Sequence, residues 1–401
     1  MRPEMSEAES ARGTVHATSG EPRAEVAEQR VTPLELFFDL VFVFSLTQVT
    51  GFLADEPTWS GLIKGMAVLA ALWWPWVGYA WLTNAVPVEE RTPARLVVIG
   101  AMAAMMVSAL AVPGAFGESG VVFGSALVVV AILHATLYVL ATRAENPGMS
   151  GAIFRLAPGF VVGPLLLVVA GLFDGGVQAA LWAASLATSY GVALVLGVKD
   201  FDVVPGHFVE RHGLIMIIAL GESIVAIGVG ASGVDLGPGV LLAAVLGVVV
   251  AAGMWWAYFD HVQLAAERQM ERVRGPARAA LARDSYSYLH LPMVAGIVLV
   301  ALGVKKTLEH VGDPLAAVPA FALCGGISLY LLGHNAFRLR DHGSVSLVRL
   351  IAAVLALGLV LPALVLPALV SVGLIATLMA ALAAYETVGH RELRSRLRRK
   401  T

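Results

Sequence analysis

The sequence predicts an all-α protein, a polytopic transmembrane helix bundle of about twelve spans arranged as two parallel six-helix repeats. Three observations predict it. Hydrophobic residues make up 58% of the 401-residue chain and charged residues only 14%, and the mean hydropathy is +0.79, far from the balance of a soluble domain. The apolar residues fall in runs long enough to cross a hydrocarbon core of about 30 Å, which takes roughly 20 helical residues. Basic residues gather in alternate loops, the asymmetry that orients membrane helices with their basic loops in the cytoplasm.

Residues 1–29 are polar, bear several glutamates and lack apolar periodicity, so they are expected to form a disordered cytoplasmic tail. They have neither the basic n-region nor the short apolar core of a signal peptide, which leaves insertion to the first span. That span, Leu34 to Leu53, opens on Thr32-Pro33-Leu34-Glu35. The string reads as an N-cap threonine, a proline at the first helical position and a capping-box glutamate. Spans two to six follow as Leu62 to Leu82, Arg95 to Val112, Val121 to Leu140, Ile153 to Phe173 and Val177 to Val198. The second set runs Gly213 to Ala231, Val240 to Phe259, Tyr286 to Val304, Leu315 to Ala336, Val345 to Leu361 and Ala368 to Tyr385. Pro362 and Pro367 interrupt the apolar stretch at its end, where proline breaks or kinks a helix.

Loop charges fix the parity. With the N-terminus inside, the cytoplasmic loops hold Arg91, Arg95, Arg143, Arg155, Lys199, Arg211, five arginines between Arg268 and Arg283, and Arg338, Arg340 and Arg349. The outer loops hold only Lys64, Lys305 and Lys306. Losing or adding one span would place the basic C-terminal tail outside, so both termini are expected to be cytoplasmic. The spacing of Arg and Ala from Arg268 to Arg283 suits an amphipathic helix on the anionic inner leaflet. The lipid bilayer is thus the one partner the composition names; the dispersed basic residues form no nucleic-acid surface.

A duplication divides the bundle into residues 30–200 and 201–388, followed by a basic cytoplasmic tail over 389–401. Trp76-Val77-Gly78-Tyr79 of span two is echoed by Trp255-Trp256-Ala257-Tyr258 of span eight, and Leu137-Tyr138 of span four by Leu329-Tyr330 of span ten. In the same order, Arg30 and Asp39 of span one correspond to Arg211 and Glu222 of span seven. An even number of spans per unit makes the two halves parallel.

Acids inside apolar spans are costly and mark a pathway or a site. Asp39, about two turns into span one, and Glu222, within Gly221-Glu222-Ser223, are the strongest candidates. They are expected to line one cytoplasm-facing cavity, at least one of them titrating during function, and Glu35, Ser223, Tyr286 and His290 are the further candidates for the substrate or ion pathway. Arg30, Arg211, Asp260, His334 and Arg338 are the candidates for its cytoplasmic mouth, although Asp260, His334 and Arg338 at helix ends also suit structural anchoring. Trp76, Tyr79, Trp255 and Tyr258 read as an interfacial aromatic belt before a cationic-ligand cage. Gly221, Gly228 and Ser232 read as a helix-packing stripe.

The string ELFFDLVFV (Glu35 to Val43), with ERHGLIMIIALGESIVAIG (Glu210 to Gly228), YSYLHLPMVAGI (Tyr286 to Ile297) and HNAFR (His334 to Arg338), resembles the bacterial low-temperature-requirement A family. The resemblance implies a polytopic bacterial inner-membrane protein and supplies no settled activity. Phe37-Phe38-Asp39 is also loosely similar to the Phe-Ser-Asp motif of lysosomal-type potassium channels, where span seven here reads Gly-Glu-Ser.

No phosphate-binding G-x-x-x-x-G-K-[ST] loop, H-E-x-x-H zinc pair or G-x-S-x-G elbow occurs, and Cys324 is the single cysteine, so no cofactor or metal is expected. The leading expectation is a secondary transporter or ion channel for an unknown ion or small molecule. The alternatives are a membrane-embedded enzyme acting on a lipid or isoprenoid, with the acids and His290 in acid–base roles, and a non-catalytic scaffold or sensor. The three are separable by what surrounds the acids: an axial polar path, a side opening to lipid, or arginines that seal them from water.

Overall fold

A computed structural model describes residues 30–142, 147–260 and 262–389. The expected tails, Arg143 and His261 lie outside the described residues. Within them the chain is helical, with one isolated bridge between Pro314 and Pro367.

Helix α1 (Pro33–Asp55) starts as its sequence dictates. Thr32 Oγ1 caps the Glu35 amide, and the Glu35 carboxylate accepts the Thr32 N–H at 2.8 Å. Helices α2 (Trp59–Ala85), α3 (Thr92–Leu110), α4 (Gly120–Thr142), α5 (Pro147–Ala170) and α6 (Gly175–Leu196) run back and forth from there. The second set is α7 (Pro205–Ala231), α8 (Pro238–Phe259), the short α9 (Val262–Arg272) and α10 (Pro276–Leu281), then α11 (His290–Glu309) and α12 (Ala317–His342). It closes with α13 (Leu347–Gly358), a single turn α14 (Val360–Ala363), and α15 (Ala368–Gly389). Here the end of the bundle where α1 begins is termed proximal, and the other distal.

Eleven helical stretches among the described residues are long and apolar enough to cross a membrane. The remaining one, α13–α14, spans Leu347–Ala363, about 25 Å at 1.5 Å per residue. It reaches the distal surface with help. The Leu315 N–H donates to the Ala363 carbonyl at 3.2 Å and the Ala368 N–H to Asp313 at 2.8 Å, so the turn after α14 is stitched to the loop before α12. Counting this crossing, α15 returns to the proximal end, where Glu386 meets Arg349 at the start of α13.

Burial separates centre from rim. The apolar windows of the α11 and α12 stretches are 78% buried and that of α6 only 22%, which puts α11 and α12 in the core and α6 at the rim. Glycine sets the closest approach: a Cβ on Gly296 of α11 would stand 2.7 Å from the Gly326 carbonyl of α12, the small-residue contact by which membrane helices pack. On α7 this role falls to Gly230, whose added Cβ would lie 3.0 Å from the Lys305 carbonyl, while Gly221 and Gly228 have nothing within 4 Å. The expected packing stripe is therefore displaced.

Two further expectations change. Trp76, Tyr79 and Tyr258 are 0%, 1% and 2% exposed, so they belong to the core; of that set only Trp255, at 44%, faces outward as a belt residue would. The arginines after α8 are not uniformly a surface face either. Arg278 donates to the Val273 and Val203 carbonyls and Arg283 to that of Ala193, pinning the segment to the bundle, while Arg272 and Arg274 stay exposed.

With basic loops retained inside, a reporter fused after Thr401 should read as cytoplasmic and one inserted near Asp235, in the distal α7–α8 loop, as external. A C-terminus found outside would remove one crossing, and α13–α14 is the one that would go.

Candidate functional site

The proximal ends of α1 and α7 meet around one arginine. Arg211, 1% exposed, places Nη1 3.1 Å from Glu35 Oε1 and Nη2 2.9 Å from Asp39 Oδ1. One turn nearer the surface, His207 Nε2 lies 3.0 Å from Glu35 Oε1. The His207 tautomer is set by Asn84 at the end of α2, whose Nδ2 donates to His207 Nδ1 at 3.1 Å and whose Oδ1 accepts the Val204 N–H. Asp39 has a second donor, Trp76 Nε1 of α2 at 2.9 Å. Three helices thus converge on two carboxylates and one guanidinium. Glu35 is at once the cap of α1 and an ion-pair partner, and a charge in hydrocarbon is held this way because leaving it unpaired costs several kcal/mol.

Arg211 Nη1 and Glu35 Oε1 meet as an ion pair, while Arg211 Nε and Asp39 Oδ2 are buried without a hydrogen bond from the protein. Beside this cluster opens a cavity of about 420 Å³ at the proximal end, lined by Glu35, Phe38, Tyr79, Glu89, Glu90 and Arg211 among others. Phe38 and Tyr79 stack with centroids 4.8 Å apart on one wall.

From Trp76 a row of rings crosses the core. His212 meets Trp76 edge-on at 5.2 Å and Tyr286 at 5.1 Å; Tyr286 stacks on His290 at 5.1 Å. A π-helical turn, Ala282–Tyr288, at the head of α11 makes this geometry. The wider turn leaves the Ser285 carbonyl to accept His290 Nδ1–H at 3.0 Å, so His290 Nε2 takes the Tyr258 hydroxyl at 2.9 Å; π-turns commonly mark such sites. Tyr258 in turn meets His334, whose Nδ1 accepts from Arg349 Nη1 at 3.2 Å. The row ends on a second buried ion pair, Arg349 with both Glu386 oxygens at 2.7 and 2.9 Å.

Glu222 stands apart. Its Oε2 accepts the Thr47 hydroxyl of α1 at 2.6 Å. Thr47 is eight residues beyond Asp39, about 12 Å further along the axis. Asp39 and Glu222 therefore occupy two levels of one α1–α7 interface, and the lining of the cavity beside Arg211 includes neither of them. Ser223 and Asp260 are buried, Arg30 is exposed, and Arg338 binds Ser344 Oγ at 3.1 Å at the proximal surface.

Sequence reasoning missed Arg349, Glu386, His207, Asn84 and His212. Glu386 carried the signal used for Asp39, an acid in an apolar helix, but it falls one residue past the predicted end of span twelve. Arg349 was counted as loop charge. Among the described residues no group of three His, Cys, Asp or Glu could hold a metal ion.

An all-helical bundle with this many apolar crossings, charges paired in its core and leucines and valines on its outer face is a multi-pass membrane protein. Its sequence matches the bacterial low temperature requirement A protein (LtrA) family over residues 30–384, and the chain belongs to that family. It is 30% identical over 311 residues to the uncharacterized protein RA0937 of Rhizobium meliloti (strain 1021), covering 75% of each chain.

Proposed function

We propose that the protein is a secondary transporter or ion channel of the bacterial inner membrane, its proximal end cytoplasmic, with its pathway along the α1–α7 interface. One observation carries the reading: the polar residues of α1 form a stripe that begins at the cavity and continues past the ion pair. From the cavity it passes Glu35 and Asp39, bound to Arg211, and then Thr47, bound to Glu222. In this reading the Glu35–Asp39–Arg211 cluster closes the path above a cytoplasmic vestibule.

Paired features in the two halves support a duplication with α1 and α7 at equivalent places. Arg155 on the fifth helix pairs with Asp200 just beyond the sixth, as Arg349 pairs with Glu386. Tyr138 of α4 donates to the Trp81 carbonyl of α2, as Tyr330 of α12 donates to the Met254 carbonyl of α8.

The test is flux into liposomes holding the purified protein, across a panel of ions and small metabolites. Asp39→Asn should abolish flux at every pH, since it removes the charge Arg211 holds. Glu222→Gln should remove the pH dependence, with both variants inserting normally. A second reading, a sensor or scaffold without turnover, draws on the sealing of Glu35, Asp39 and Glu386 by arginines. Wild-type behaviour of both variants would favour it and end the pathway reading.

A further inference from the structure

We propose that the groove between α3 and α4 at the proximal end binds an anionic phospholipid, its phosphate on Arg91 and Arg95 and one acyl chain along the seam between the two helices. The inference is independent of transport and needs only that the bundle spans a membrane.

Side-chain size opens the groove. Helix α3 begins at Thr92 and α4 ends at Thr142, so both reach the proximal surface there. Deeper in they touch: a Cβ on Gly100 would stand 3.6 Å from Leu133 Cδ1. Nearer the surface a space of about 470 Å³ separates them, lined by Val86, Ala94, Val97, Thr136, Leu137 and Leu140, with Arg91 at its mouth. From Arg91 to the contact at Gly100 is about 13 Å of helix axis at 1.5 Å per residue. Ala94 and Leu137, 6% and 7% exposed, make the floor, whereas Leu140, at 61%, stands on the open side. A slot that opens sideways between membrane helices and closes at its inner end suits a chain entering from the bilayer.

Charge names the headgroup. Arg91 is the charged residue in the lining; it is exposed, as is Arg95 one turn along α3, whose Nη2 lies 3.2 Å from Thr92 Oγ1. The acids just before them serve the other side. Glu89 and Glu90 line the cavity beside Arg211, and Glu89 Oε1 accepts the Leu34 N–H at 3.1 Å. Residues 86–91 thus divide acid from base, with Val86 lining both spaces. Guanidinium groups bind phosphate oxygens in pairs, and basic pockets between membrane helices bind anionic headgroups. A zwitterionic lipid brings a cation that the arginines repel, and a free phosphate ester leaves the slot unfilled.

The test uses the full-length protein in detergent, read by native mass spectrometry and thermal unfolding with three probes: dioleoyl phosphatidylglycerol, dioleoyl phosphatidylcholine and glycerol 3-phosphate. Phosphatidylglycerol should stay bound and raise the melting temperature, and the other two should do neither. Arg91→Gln with Arg95→Gln should weaken its binding about twenty-five-fold, the equivalent of about 2 kcal/mol, each arginine contributing about fivefold at an anionic headgroup. Thr136→Trp, which fills the slot from an exposed position, should also weaken binding without lowering the melting temperature of the lipid-free protein. As a control, Arg272→Gln with Arg274→Gln removes two exposed arginines elsewhere on the same end and should change nothing. Equal retention of phosphatidylcholine would overturn the proposal in favour of an unselective lipid annulus, and equal binding of glycerol 3-phosphate in favour of a soluble-anion site. An equal loss in the control, unchanged binding in either groove variant, or no retention of phosphatidylglycerol would overturn it as well.

Discussion

Replacing Arg211 with glutamine should destabilise the bundle by about 3–5 kcal/mol, the usual consequence of stranding buried carboxylates. Glu35 and Asp39 are 5% and 0% exposed and share this one arginine as their guanidinium partner. Glutamine can donate a hydrogen bond to one of them but cancels neither charge. Adding Asp39→Asn should restore more than half of the loss, because Glu35 keeps His207 and its own helix cap, and the recovery in a double-mutant cycle measures the coupling. Chemical or thermal unfolding in a fixed detergent reads both. A neutral Arg211→Gln would mean that water already reaches the pair. Replacing the whole cluster by apolar residues of similar volume need cost nothing. The cluster then fixes which faces of α1, α2 and α7 meet, and its contribution to stability is small beside that.

Arg349→Gln should likewise cost about 3–5 kcal/mol, whereas Arg155→Gln should cost no more than about 1 kcal/mol, although the two arginines make the same kind of contact. Burial decides between them. Arg349 and Glu386 are 5% and 4% exposed in their side chains, and Arg349 further donates to His334 and to the Ala257 carbonyl at 2.9 Å. Arg155 and Asp200 are 49% and 33% exposed, where water screens the pair. Equal losses from the two substitutions, measured by the same unfolding assay, would refute the assignment of Arg349 to a dry site.

The contrast also marks what the sequence could disclose. The capping box and the intramembrane acids of α1 and α7 were legible because each departs from a local expectation, a cap before an apolar run or a charge within one. The pairing of Glu35 and Asp39 with Arg211 was not, since Asp39 and Arg211 lie 172 positions apart and Glu35 lies further still. Trp76, Tyr79 and Tyr258 misled because a ring with a polar edge suits both the membrane interface and a hydrogen-bonded core, and helix position alone does not separate them. The row from His212 to His334 draws on α7, α8, α11 and α12 together with a π-turn, and no periodicity in one segment encodes that. Counting basic residues gave the alternation of sides without regard to whether a given arginine meets water, so Arg349 served the count while sitting in the core.

The shortness of α13–α14 bears on the lipid around it. Leu347, Ile351, Val354, Leu355 and Leu361 are all at least half exposed, so this element presents acyl chains with a hydrophobic height about 5 Å below a typical core. Neighbouring lipids must compress on that flank while those beside the longer α7 and α12 need not. At fractions of a kcal/mol per ångström, the mismatch gives the molecule a thin side and a thick side, and with them a preferred depth and orientation among lipids of unequal chain length.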